Sequence, residues 1–237
     1  PYQPAERRFR VTRSLLAVLA QAQGVRLSIT TKSDLITRDI DLLRRIALRN
    51  SVHANMTVTT LDRRLARLLE FRAPTPDLRL TAVRRLRDAG LDAGVTLSPI
   101  LPEITDGPEN LEAVVAAAQA HGATHLFWNV LFLKPSAQAA FLPFLERHFP
   151  HLAARYAVRF SRSAFLSRPY KDRIARLITA LKQRYGFADQ ASFEMPAPVH
   201  EAAARAEQLS LFPADRGAAA PSRSLPCVGA PPQFAQR

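Results

Sequence analysis

The sequence predicts an α/β protein of four successive βα units with parallel strands, followed by a purely helical block and an unstructured tail. Three observations carry this. Short segments that alternate with period two, or run continuously apolar, recur roughly every thirty residues with a helical segment in each gap, the pattern of parallel strands joined by right-handed crossovers. Beyond the fourth such segment only helical periods follow. Of the 237 residues, 47% are apolar and 22% charged, a balance that supports a sizeable core.

Residues 6–22 set Phe9, Leu15, Leu16, Val18 and Leu19 among charged residues at helical spacing, with Gly24 expected as a left-handed stop. Residues 25–31 alternate Val25, Leu27 and Ile29 with Arg26, Ser28 and Thr30, a strand that delivers Thr31, Lys32 and Ser33 at its end. A helix over 38–49, a strand over 52–60, a short helix over 61–69 and a helix over 76–89 follow, the last opened by Pro76 and stopped by Gly90. The third strand covers 94–101. An alanine-rich helix over 109–121 ends at Gly122, and the apolar run 125–133 suits a parallel strand covered on both faces. Helices over 136–148, 152–160 and 170–185 are expected to cap the sheet. The pattern dissolves near Phe187, and residues 214–237, rich in Ala, Pro, Gly, Ser and Arg, have no periodicity. The expected organisation is βα units over 1–134, a helical cap over 135–187 and a mostly disordered tail over 188–237.

No run approaches the eighteen or so apolar residues of a membrane-spanning helix, and the amino end lacks the order of a signal peptide, so a cytoplasmic protein without a membrane partner is expected. The chain opens on Pro1, which suggests a fragment whose natural start lies upstream. A single cysteine, Cys227, excludes an intrachain disulfide and a cysteine-based metal site made from these residues alone. A formal charge of +13, from 33 Lys and Arg against 20 Asp and Glu, favours polyanionic partners such as nucleic acid; arginine on solvated faces would give the same excess.

Ligands of parallel α/β folds collect at the carboxyl ends of the strands. Those ends carry Thr31, Lys32 and Ser33; Thr57, Thr59 and Thr60; Ser98 and Pro99; and residues 129–134. Lys32 would bind an anion there or, if desolvated, act as an amine nucleophile; a solvated loop lysine is the plainer alternative. Thr57 and Thr59 share a face by the period of two. Arg72, which follows Glu70 and Phe71, can clamp a carboxylate with two donors. The histidines at 53, 121, 125, 148, 151 and 200 show no i, i+4 metal pair and no obvious carboxylate or cysteine companion, and neither a glycine-rich phosphate loop nor a nucleophile elbow is present.

A set of landmarks recurs in fixed order: Tyr2, Gln3, Pro4 and Glu6; Thr31, Lys32, Ser33; residues 57–62 from Thr57 to Asp62; residues 69–74 from Leu69 to Pro74; residues 98–102 with Asp106; and residues 129–136 with Phe149, Pro150 and Tyr156. Over about residues 1–187 this resembles the spore photoproduct lyase-like, or DNA repair photolyase-like, branch of the radical S-adenosylmethionine (SAM) superfamily. The resemblance implies a partial six-unit (β/α) barrel of which these residues supply four units. It implies a [4Fe-4S] cluster held by three cysteines of a CxxxCxxC loop, SAM on the fourth iron, an external electron donor, and hydrogen abstraction from substrate. It also implies that Lys32, Thr57 and Arg72 line the SAM pocket and that Glu6 helps shape it. Two positions depart from the family's habit: Thr57 stands where serine is commoner, and Phe71 where proline is usual. The cysteine loop would precede Pro1, so the chain alone is expected to be inactive.

Gln208, Leu209, Ser210, Leu211 and Phe212 resemble the pentapeptide by which bacterial DNA-processing proteins dock on the replication sliding clamp, with Gln208, Leu209, Leu211 and Phe212 as its anchors. The expected function is that of a radical SAM enzyme, lyase-like and acting on nucleic acid in a DNA-repair setting. The alternatives are a non-catalytic remnant that binds DNA or the sliding clamp, and a Schiff-base barrel lyase using Lys32.

Overall fold

A computed structural model of the chain describes residues 1–188. Four strands, β1 (Arg26–Thr31), β2 (Ser51–Thr57), β3 (Asp92–Ile100) and β4 (Leu126–Val130), form one parallel sheet in the order β1-β2-β3-β4. The register pairs Ser28 with His53 and His53 with Asp92, and farther along Thr57 with Thr96 and Thr96 with Phe127. Paired residues share a face, so the period of two gives the sheet two chemically different sides. On one side Val52, Ala54, Met56, Ala93, Val95 and Leu97 are buried. The helices of the first three crossovers contribute their apolar stripes to the same core: Leu43 and Ile46 from α3 (Ile40–Ala47), Val83 and Leu86 from α5 (Pro76–Asp88), Leu111 and Val114 from α6 (Pro108–Ala120), all 0% exposed. The other side carries Ser28, Thr30, His53, Asn55, Thr57, Asp92 and Thr96. This is the α/β partial barrel expected, with four parallel βα units.

Several boundaries differ from expectation, each for a local reason. The helix expected over 6–22 is broken into α1 (Glu6–Phe9) and α2 (Val11–Leu19) by Arg10, which takes a left-handed φ of 52°. Glu6 causes the break: its backbone carbonyl closes α1 by accepting from Arg10 N, while its carboxylate accepts from Thr12 N at 2.9 Å and Arg13 N at 3.4 Å and so caps α2. Gly24 lies beyond the end of α2 and donates to the Arg49 carbonyl, so it turns the chain into β1 instead of stopping the helix. By contrast Gly90, at φ 78°, does end α5. Residues Asp34–Asp39 form a 3-10 helix ahead of α3, started by the Ser33 hydroxyl accepting from Leu35 N. The strands expected over 52–60 and 125–133 end early, at Thr57 and Val130. A short α4 (Arg63–Leu69), capped by Asp62, separates β2 from α5.

After β4 come α7 (Pro135–His148), α8 (Pro150–Arg159) and α9 (Arg168–Arg184). This block grips the loop that follows β3. Buried Tyr156 donates to the Pro102 carbonyl at 2.6 Å, Arg155 and Arg159 pair with Glu103, and Asp106 accepts from Tyr170 at 2.9 Å and Arg173 at 2.8 Å. No helix of the described residues is long and apolar enough to cross a membrane. The tail motif Gln208, Leu209, Leu211 and Phe212 lies outside the described residues, as does the rest of the chain past 188.

Candidate functional site

A cavity of about 680 Å³ opens at the carboxyl ends of β1 and β2, lined by residues that include Tyr2, Arg7, Thr30, Lys32, Thr57 and Arg72. Three of the four residues singled out in the sequence therefore meet here. Thr57 is the last residue of β2, 5% exposed; Lys32 follows β1; Arg72 comes from the loop between α4 and α5, its guanidinium carbon 5.1 Å from the Phe71 ring centroid. Thr59 lies past the end of β2, buried, with its carbonyl accepting from Asn110, and is not part of the cavity wall.

Glu6 stands apart from the other three. It lines a neighbouring cleft of about 270 Å³ that shares Pro1, Tyr2 and Gln3 with the larger cavity, while its carboxylate is spent on the α2 cap and on Arg38 at 3.1 Å. Burial pushes that carboxyl up, but the Thr12 amide and Arg38 outweigh it and hold it down at about 2. Arg38 and Arg13 also converge on buried Asp39, fastening α2 to the start of α3.

One of the cavity's cations, Lys32, is held by a carboxylate that does not line the cavity. Lys32 Nζ lies 3.1 Å from Glu70 Oε1, and the second oxygen of Glu70 lies 2.6 Å from Arg79 Nη1. Arg79, only 2% exposed, also donates to the Pro74 carbonyl at 2.8 Å and the Thr57 carbonyl at 3.0 Å. Sequence reasoning passed over Arg79, yet a signal was there. It falls within the apolar stripe of α5, three residues after Pro76 and four before Val83, and a charge at a core-facing position needs a buried partner. Lys32 is neither desolvated, its side chain being 43% exposed, nor without a carboxylate partner, so a Schiff-base role gains no support from its surroundings.

A second polar cluster occupies the amino ends of the strands, on the same side of the sheet. Asp92 meets His53 Nδ1 through one oxygen and the Thr124 hydroxyl through the other, with His125 Nδ1 at 3.3 Å. His125 Nε2 reaches Asn55 Oδ1 at 2.8 Å, and Asn55 reaches the Ser28 hydroxyl at 3.1 Å. The histidines at 53 and 125 thus do have a carboxylate companion, contrary to the expectation from sequence, because register brings together residues that are distant along the chain. Gly94 makes the arrangement possible: a Cβ there would collide with the carbonyl and the ring of His125. No group of His, Cys, Asp and Glu able to hold a metal ion occurs among the described residues.

Residues 4–115 match the model of the radical SAM superfamily, and most of the described residues share the fold of spore photoproduct lyase. The chain superposes on spore photoproduct lyase complexed with dinucleoside spore photoproduct with a TM-score of 0.51 at 14% identity, over 74% of this chain and 54% of that one. A cysteine-to-serine variant of the same lyase gives 0.51 at 13% identity, over 73% and 53%. Among sequence relatives, an uncharacterized protein of Mycobacterium tuberculosis (strain H37Rv) is 34% identical over 213 residues, 90% of this chain and 62% of that protein. One of Methanocaldococcus jannaschii is 28% identical over 186 residues, 77% and 63% respectively. The chain thus spans under two thirds of the length of these relatives.

The family implies SAM and an iron-sulfur cluster. The cavity suits the first of these: Arg7, Lys32 and Arg72 offer cations to a carboxylate, and Thr30 and Thr57 offer hydroxyls. The second does not fit these residues, since three thiolates are needed and the sequence has one cysteine, outside the described body.

Proposed function

We propose that this chain forms one wall of the SAM pocket of a radical enzyme that acts on nucleic acid. The observation that carries the reading is the meeting of Lys32, Thr57 and Arg72 in one cavity at the carboxyl ends of neighbouring strands of a radical SAM fold. SAM, together with a cluster whose thiolates would come from outside these 237 residues and an electron from an external donor, would supply radical chemistry able to remove a hydrogen atom from substrate. The role of this chain is to bind and orient. Lys32 and Arg72 would take the methionyl carboxylate, and the Thr57 hydroxyl a polar group of the nucleoside. Without thiolates the chain by itself is inactive.

Nucleic acid is supported as the substrate class by the +13 charge, by the exposed Phe71 and Arg72 beside the cavity, and by the fold shared with a lyase solved with a dinucleoside photoproduct.

Titration calorimetry of the full chain with S-adenosylhomocysteine, a stable analogue that keeps the amino-acid group, tests the pocket. Binding is expected, weakened about tenfold by Lys32→Met through loss of one charge-assisted hydrogen bond. Absence of binding to the folded wild-type chain would overturn the reading.

A further inference from the structure

The cavity itself shows Lys32 and Arg72, but neither Glu70 nor Arg79 lines it. Their arrangement is nonetheless specific to it. Arg79 is a buried cation whose three recorded partners are the Glu70 carboxylate and the carbonyls of Thr57 and Pro74, and both of those carbonyls belong to residues of the cavity wall. A guanidinium fork that spans two carbonyls and a carboxylate has little freedom left. It therefore fixes Glu70 relative to the end of β2. Glu70 in turn has one oxygen toward Arg79 and the other toward the Lys32 ammonium, so Lys32, a four-carbon flexible side chain, receives its direction from a group anchored in the core. The chain of contacts runs from helix α5 through the α4–α5 loop to the residue after β1.

We infer that Glu70 and Arg79 are positioning residues for the cavity: buried Arg79 locks Glu70, and Glu70 aims the Lys32 ammonium at the anionic group of the ligand. The inference deepens the SAM-pocket reading and rests on it for the identity of that ligand, but the geometry of Lys32 is testable without any ligand. Two substitutions of Glu70 separate its contacts. In Glu70→Gln the amide oxygen can still accept from Arg79, leaving the amide nitrogen, a donor, facing the Lys32 ammonium, also a donor; that pair separates. In Glu70→Asp the carboxylate still compensates buried Arg79, so folding is safeguarded, while the shorter side chain no longer spans both cations.

The test has a ligand-free arm and a ligand arm, both on the full chain, with melting temperature recorded for every variant. In the first, acetylation of lysines by acetic anhydride at fixed pH is read peptide by peptide by mass spectrometry. Lys32 is expected to react about fivefold faster in Glu70→Asp and Glu70→Gln than in wild type, because the ion pair no longer has to open first, with the other lysines unchanged. Unchanged Lys32 reactivity in the folded Glu70→Asp chain overturns the inference. In the second arm, S-adenosylhomocysteine is titrated into wild type, Lys32→Met, Glu70→Asp and the double variant. Glu70→Asp is expected to weaken binding about fivefold in the wild-type background and to have no effect once Lys32 is methionine. A full effect of Glu70→Asp in the Lys32→Met background would mean that Glu70 acts other than through Lys32 and would also overturn the inference. If the wild type does not bind S-adenosylhomocysteine at all, the pocket reading fails, and the acetylation arm alone decides the positioning.

Discussion

Asp92 is the residue whose surroundings make the clearest demand on pH. Burial raises its carboxyl, but hydrogen bonds from His125 and Thr124, with His53 on the other oxygen, hold it well below the ordinary value of 3.8. A carboxyl depressed in the folded state contributes stability that is present above its unfolded value and is lost as pH falls through the folded one. Its side chain is 35% exposed, so solvent screening limits the contribution to about 1 kcal/mol. Asp92→Asn is therefore expected to lower stability by about 1 kcal/mol at pH 7, and the gap to wild type should close as pH is lowered below 3.8. Thermal melts of both chains from pH 7 to the onset of acid unfolding check this, and a gap that stays constant across that range would show that the carboxylate's charge is not what matters.

At the scale of elements, the helical block and the sheet depend on one loop. Asp106 takes a backbone amide of its own loop, Glu103 N at 2.7 Å, together with Tyr170 and Arg173 of α9. Replacing it by Ala leaves a mostly buried tyrosine hydroxyl and an amide without their acceptor. Asp106→Ala is expected to cost about 2 kcal/mol and, in hydrogen exchange, to reduce protection in α9 and residues 101–106 while leaving β1 and β2 unchanged. Uniform loss across the sheet would mean that the block is coupled to the core by packing and not through this carboxylate. The segment ahead of β1 follows the same logic: at the break between α1 and α2 one residue, Glu6, closes the first helix with its carbonyl and caps the second with its carboxylate.

The whole molecule poses the question of partners. If the basic charge is a nucleic-acid footprint, a labelled single-stranded oligonucleotide should bind the chain with an affinity that falls steeply with salt, and Arg7→Ala with Arg72→Ala should flatten that slope by about one to two contacts. Fluorescence anisotropy measures it; absence of binding at low salt would discard the nucleic-acid reading of the charge. The sliding clamp is a separate proposal resting on Gln208, Leu209, Leu211 and Phe212. Leu211→Ala with Phe212→Ala should abolish co-purification with a bacterial clamp while leaving S-adenosylhomocysteine binding intact, and unchanged clamp recovery would discard the motif.

The sequence by itself determined the four parallel strands, the helices between them and the helical block after them, because periodicity and helix-start and helix-stop residues are local properties that the side chains display in order. It also brought Lys32 and Thr57 into consideration, since strand ends are where such folds gather polar groups, while Arg72 joined them through the family resemblance. Only the tertiary structure decided the rest. Arg79 belongs to the cavity's support because a helix packs its apolar face against β2 and carries one cation in with it. His53, Asp92 and His125 are neighbours because parallel register, set by which side of the sheet is buried, aligns three strands whose residues lie far apart along the chain. Glu6 caps α2 because its carboxylate folds across the break at Arg10 onto the Thr12 and Arg13 amides. The contacts of Arg79 with β2 and of the histidines with Asp92 join distant segments and follow from packing, which no local pattern encodes, and the Glu6 cap, though local, depends on a left-handed turn that periodicity does not show.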